Sequence, residues 1–224
     1  MSYDIYDNDI QEFERLVASS YRQGSRGALS DSTRDAGCRY LPKATLVEFF
    51  KDEERLKRIL RRLFPNPDNP RLSSAILDRI REGEYRKVFA ILLLIRRGPA
   101  IKYFTEDPEL RDAKLPFDNP QRFPDQAYDP EFFDEFRKHQ WMFCVEALRY
   151  RDFVKLSADQ ILPYKIEKTL PPGVSSKAFV IKVDSEYNEL YSSSKRVCEN
   201  SFLLLCMPLT KLRSRRTSIG TLSC

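Results

Sequence analysis

No apolar run in this 224-residue sequence is long enough to cross a lipid bilayer. The longest runs, residues 88–95 and 202–207, fall far short of the roughly 20 residues that a membrane-spanning helix needs. The N-terminus also lacks the basic and then apolar order of a secretory signal peptide. We therefore expect an intracellular protein without a transmembrane segment.

Histidine occurs once, as His139, and no C-x-x-C pair accompanies it, so a zinc site has no support. A lone histidine within a predicted helix is typical of a surface or packing residue, and we assign His139 no chemistry. The cysteines are odd in number and irregularly spaced, which favours reduced thiols over a disulfide framework. They are Cys38, Cys144, Cys198, Cys206 and Cys224.

Over most of the chain neither sign of charge is in excess, because basic and acidic residues are equal in number up to residue 190. The formal net charge is +5, and the whole excess lies after residue 190, where six basic residues accompany Glu199 alone. The first 190 residues are neutral, so the pI does not indicate a nucleic-acid-binding face on the folded body. A hydrophobic content of 42% with 12% aromatic residues excludes a disordered chain.

Apolar residues spaced by three and four predict helices along the first part of the chain. The first helix covers about residues 9–22. A second stretch, following Pro42, is one long helix or two abutting ones, and the three prolines of residues 64–70 end it. A third helix then runs to about Gly83. Residues 24–39 have no apolar period and predict a mobile surface loop.

Residues 84–97 fit a buried strand or a buried helix, and their Leu, Ala, Arg and Lys content favours a helix at the centre of the core. The proline-rich residues 107–130 predict an extended surface connector. Asp129 then starts a helix that is predicted to reach about Arg149. The predicted core consists of Leu46, Phe50, Leu60, Phe89, Leu92, Leu93, Phe132, Phe136 and Phe143.

Three segments together resemble a known family: residues 84–92 (EYRKVFAIL), the helix around Trp141, and residues 159–164 (DQILPY). In the same order, they are similar to the helical N-terminal region that precedes the kinase domain in a group of fungal protein-kinase-like proteins. The resemblance covers about residues 41–190. It implies that the Leu-Pro-Tyr segment leads into the first strand of a kinase small lobe.

The resemblance further implies a glycine-rich loop between strands at residues 165–170 and 179–183. Only Gly173 matches the loop pattern, and Pro171 has no backbone N–H to offer a phosphate. Lys211 is the nearest counterpart of the ATP-pairing lysine. The H-R-D and D-F-G motifs have no counterpart, so no cofactor is expected for this chain, and ATP with Mg²⁺ only if a complete kinase domain follows in the natural protein.

The composition changes after residue 191, where acidic residues almost vanish. Our preferred interpretation is translated intron or frameshifted sequence at the end of a truncated gene model. A basic and partly apolar tail is also typical of binding to acidic lipid or nucleic-acid phosphates, but without interleaved aromatics nucleic acid is a poor partner. Residues 215–218 also match a site for a kinase that prefers upstream arginines, which makes Ser218 a candidate phosphorylation site.

These observations predict a mainly α-helical protein, an irregular helical domain followed by a short antiparallel β-hairpin. Its expected parts are an N-terminal helix and loop (1–40), a helical domain (41–156), the hairpin (157–190) and a disordered basic tail (191–224). The expected function is a non-catalytic interaction or regulatory module whose partner is a protein or a kinase domain in the same natural chain. The alternatives are a nucleotide-binding kinase fragment using Gly173 and Lys211, and a tail-mediated membrane or nucleic-acid binder.

Overall fold

The structure, a computed structural model, is mainly helical, as predicted, with small sheets that are antiparallel over the described residues except for one parallel pair, Leu148–Arg149 with Asn188–Glu189. It divides into a helical unit, Met1–Tyr21 with Leu41–Cys144, and a β unit, Arg22–Tyr40 with Val145–Cys224. The second segment of the helical unit thus ends at Cys144. The residues that the structure describes are 8–26, 38–65, 70–123, 129–149, 159–171, 176–189, 202–208 and 218–221.

Seven α-helices lie within the described part of the helical unit. They are α1 (Asn8–Ser20), α2 (Lys43–Lys51), α3 (Glu53–Leu63), α4 (Pro70–Glu82), α5 (Arg86–Leu94), α6 (Ile101–Glu106) and α7 (Pro130–Gln140). None of them is both long enough and apolar enough to span a bilayer. The predicted helix that follows Pro42 is therefore two abutting helices, with residue 52 between them.

Capping explains why α3 begins where it does. The Asp52 side chain accepts a hydrogen bond from the backbone N–H of Arg55 (3.0 Å), which satisfies one of the free donors of the first turn. The next helix, α4, ends at Gly83, whose positive φ of +89° suits a residue without a side chain. There the N–H of Gly83 donates to Ile80 and that of Glu84 to Arg79, which closes the helix.

Helix α5 is the centre of the core, and the choice of helix over strand is confirmed. Residues 88–93 are each 0% exposed, so this helix has no solvent-facing stripe along that stretch. It contacts α2, α4, α6 and α7. All nine predicted core residues are buried in one cluster: Leu46, Phe50, Leu60, Phe89, Leu92, Leu93, Phe132, Phe136 and Phe143.

The connector after α6 contributes to the core, although the sequence predicted an extended surface segment. Three short 3-10 turns (Pro108–Leu110, Asp112–Lys114 and Pro120–Arg122) shape its described part. Phe117, between the second and third turns, and Phe123, directly after the third, pack against α6 and α7, each ring centre within about 6 Å of the Phe136 ring centre.

The prediction that α7 continues to about Arg149 is wrong, because the helix ends at Gln140. The backbone N–H groups of Phe143 and Cys144 both donate to the carbonyl of Gln140, which turns the chain. The carbonyl of Met142 then accepts from Leu41 instead of continuing the helix. The apolar residues after Trp141 therefore reach the core from a turn. Their spacing along the sequence is the same as that of a continued helix, so it could not reveal the turn.

The β unit is built on a four-stranded antiparallel sheet whose strands, in spatial order, are Tyr164–Thr169, Ser176–Val183, Phe202–Pro208 and Ser218–Thr221. The unit contains, in chain order, β1 (Arg22–Gln23), β2 (Ser25–Arg26), β3 (Arg39–Tyr40), β4 (Leu148–Arg149), β5 (Ile161–Leu162), β6 (Tyr164–Thr169), β7 (Ser176–Val183), β8 (Asn188–Glu189), β9 (Phe202–Pro208) and β10 (Ser218–Thr221). The two strands predicted for the hairpin are β6 and β7. Edge strand β6 carries a bulge and exposed charged residues, features that discourage pairing with another chain.

The prediction of a disordered tail is wrong for two segments, which form the strands β9 and β10. The apolar run of residues 202–207 lies within β9, which pairs with β7 so that Leu203 stands opposite Ile181. Strand β10 pairs with β9 in turn. A run of apolar, strand-compatible residues next to an existing strand edge is sufficient reason for this pairing. The remaining residues of the predicted tail lie outside the described residues.

The ends of the predicted loop 24–39 are also corrected to paired strands. Strand β1 pairs with β3, and β2 pairs with β5. Glycine is required at position 24, between β1 and β2, because a Cβ there would lie 2.7 Å from the carbonyl oxygen of Leu162. Residues 27–37 of that predicted loop lie outside the described residues.

Candidate functional site

The residues predicted for nucleotide binding do not appear in the described part of the chain. Gly173 and Lys211 both lie outside it. Ser218 is the first residue of β10 and stands opposite Cys206 of β9. His139 lies on α7 with Nδ1 2.9 Å from the carbonyl oxygen of Glu135, one turn earlier.

An open groove of about 600 Å³ lies on the helical unit, between α1 and α2. Both helices and the first turn of α3 supply its walls. The lining residues are Glu12, Leu16, Ser20, Thr45, Glu48, Phe49, Lys51, Asp52 and Arg55. Sequence reasoning missed this groove, although the polar residues Glu12 and Glu48 lie beside apolar Leu16 and Phe49.

Arg55 is the best-anchored charge of the groove. Its guanidinium carbon lies 4.8 Å from the centre of the Phe49 ring, in cation–π contact. Its Nη2 lies 3.2 Å from a carboxylate oxygen of Glu12 and 3.8 Å from one of Asp52. The groove therefore has a floor of Phe49 and half-buried Leu16, with carboxylates from α1 and from the α2–α3 junction above it.

Elsewhere in the helical unit, charged side chains serve contacts between elements. Arg58 holds α3 to α1 through two 2.9 Å hydrogen bonds to the Asp9 carboxylate, and this pairing keeps the pKa of Asp9 below its ordinary value. Arg79 donates to the carbonyl of Thr105 and lies over the Tyr85 ring. These charges are committed to packing and do not form a reactive centre.

Asp112 acts at a distance in sequence, as the N-terminal cap of α5. Its two carboxylate oxygens accept from the backbone N–H groups of Lys87 (2.7 Å) and Val88 (2.9 Å). Burial raises the pKa of this carboxyl to about 6, and the two backbone donors offset the effect only in part. Asp112 falls in the segment that the sequence presented as a connector.

Because the pKa of Asp112 is higher in the folded chain than the ordinary 3.8, folding favours its protonated form. Its contribution to stability is complete below about pH 4 and is lost as the pH rises through 6. We expect urea unfolding to show that Asp112→Asn, which cannot ionise, removes this part of the pH dependence. The matched variant Asp118→Asn, at an exposed carboxyl of the same connector, should leave it intact. Parallel pH profiles for the natural chain and Asp112→Asn would contradict this role.

The β unit has its own polar cluster around Asp184. Its carboxylate accepts from the Tyr40 hydroxyl (2.5 Å), the Arg22 guanidinium (2.7 Å) and the backbone N–H of Glu186 (3.1 Å). Burial opposes ionisation of Asp184, but these hydrogen bonds outweigh it, so its pKa lies below the ordinary value. The cluster joins β1 and β3 to the turn after β7. All three donors to Asp184 serve this structural contact.

Among the described residues, no three His, Cys, Asp or Glu side chains stand close enough together to hold a metal ion. Comparisons with models of protein families, with curated proteins and with solved structures find no match for this chain. The chemistry of the groove between α1 and α2 therefore follows from the side chains that line it. A floor of apolar side chains below exposed charges is typical of surfaces that bind other proteins.

Proposed function

We propose that this chain is a non-catalytic interaction or regulatory module of a protein-kinase-like protein. Its partner is a protein, either a kinase domain in the same natural chain or a separate one. The kinase assignment rests on the resemblance of residues 84–92, the Trp141 region and residues 159–164 to such proteins. The interaction role rests on the structure of the helical unit.

The observation that carries the interaction role is the groove between α1 and α2. Its opening suits a polypeptide segment better than a small substrate, which proteins usually enclose on most sides. Asp112 and Asp184, two carboxyls of the described residues that accept several hydrogen bonds, are each occupied in holding elements together. The order of the elements, a helical unit followed by the antiparallel pair β6 and β7, is also the order that the resemblance implies.

The test is cross-linking of the full chain, expressed at its natural level, followed by mass spectrometry of the captured proteins. We expect repeated capture of a protein that contains a kinase domain, and a change of at least two-fold in its phosphotransfer when the purified chain is added. Capture without any kinase, when the natural chain itself carries no kinase domain, would contradict the proposal, and so would a kinase whose activity does not respond.

A titration with Mg-ATP separates this function from that of a nucleotide-binding fragment. We expect no shift in the thermal midpoint of the purified chain, because the glycine-rich pattern is reduced to Gly173. A saturable stabilisation of more than about 1 kcal/mol would favour the nucleotide-binding alternative instead.

A further inference from the structure

The exposed charge of the groove between α1 and α2 is mostly negative. Three carboxylates remain accessible, with side-chain exposures of 52% for Glu12, 78% for Glu48 and 45% for Asp52. Lys51 is the one exposed base of the lining, at 73%, and its ammonium is 3.8 Å from Glu48. Arg55, the other base of the lining, is only 23% exposed, so the accessible charge is three carboxylates against one ammonium.

The contacts of Arg55 show that the apolar floor of the groove accommodates a cationic side chain. Its guanidinium lies against the Phe49 ring while carboxylates of Glu12 and Asp52 stand beside it. Glu48, on the opposite wall, has a long and weakly held contact with Lys51. A second cationic side chain on an aliphatic stem would meet the same combination of apolar floor and carboxylate rim.

We propose that this groove binds a basic amphipathic segment of the protein partner. The segment places an apolar side chain on Leu16 and Phe49 and an arginine or lysine beside Glu12 and Glu48. An acidic segment or a phosphate would instead meet three carboxylates against one exposed base, Lys51, and would be disfavoured. The inference rests on the proposed function in one respect, namely that the helical unit binds a protein.

The experiment uses three labelled 14-residue helical peptides that share one leucine face and carry arginine, glutamine or glutamate on the other. Fluorescence anisotropy measures their binding to the full chain. We expect saturable binding of the arginine peptide alone, and weaker binding as the salt concentration rises. Equal binding of the glutamate peptide, or no binding of any peptide, would overturn the proposal.

Variants locate the site. Glu12→Gln combined with Glu48→Gln should weaken binding of the arginine peptide at least five-fold. The same double change at Glu131 and Glu135, which are exposed on α7, should alter it less than two-fold. Equal weakening by both pairs would indicate attraction by overall charge and would refute a site in the groove.

A charge reversal gives a result that loss of folding cannot imitate. Glu48→Lys, at the most exposed carboxylate of the groove, should weaken the arginine peptide and strengthen the glutamate peptide. Weakening of both peptides would count against the proposed contact. If the peptides fail while a kinase is still captured, only the inferred segment is wrong. If the peptides bind as expected and no kinase is captured, the groove is confirmed as a binding site for basic segments and the kinase assignment is wrong.

Discussion

Replacing Gln140 with leucine should lower the free energy of unfolding by about 2–5 kcal/mol, because two buried backbone groups would lose their partner. Gln140 is 0% exposed at the end of α7. Its Oε1 accepts from the backbone N–H of Phe117 (2.7 Å), and its Nε2 donates to the carbonyl of the same residue (3.0 Å). The amide thus pairs with the connector as a neighbouring strand would, in a place that water does not reach.

Urea unfolding followed by the fluorescence of Trp141 measures this effect, since Trp141 lies directly after Gln140 in the helical unit. Leucine keeps most of the side-chain volume, so the loss reports on hydrogen bonding rather than on a cavity. The matched control is Gln121→Leu on the exposed face of the connector, with an expected change within about 0.5 kcal/mol. Similar losses for both variants would show that the Gln140 amide is not a structural bridge.

Sequence reasoning succeeded where an element carries its own periodic signal. Helix α3 has apolar residues at helical spacing, an acidic first turn and a basic last turn, and all of these can be read locally. Helix α5 also follows from composition, because β-branched residues are few in it. Strands β6 and β7 were predicted, whereas β1, β2 and β3 are only two residues long and have no period to detect.

The misses share a physical cause, which is that the partner of each side chain is distant in sequence. Asp112 is 24 and 25 residues from the N–H groups that it caps, and Gln140 is 23 residues from Phe117. Neither pairing leaves a local pattern. The end of α7 was misplaced for the same reason, since the carbonyl of Met142 bonds to Leu41 across the helical unit.

The groove was missed because its residues resemble an ordinary solvent-exposed face when each helix is considered alone. On α1, Glu12 and Leu16 are one turn apart, and on α2, Glu48 and Phe49 are adjacent. Charged residues at such spacing usually lie on a solvated surface. Only the packing of α1 beside α2, with the Phe13 and Phe49 rings 4.8 Å apart, brings these carboxylates to the two sides of one apolar floor.

Replacing Leu92 with alanine should destabilise the helical unit by about 2–5 kcal/mol, since it would leave a cavity at the centre of the core. Leu92 is 0% exposed in the middle of α5, which packs against four other helices. For a chain of this length the thermal midpoint should fall by roughly 5–15 °C. Leu94→Ala removes the same atoms from a half-buried position of the same helix, so its effect should be clearly smaller. An unchanged midpoint for Leu92→Ala, or equal losses for the two variants, would show that the core is not centred on α5.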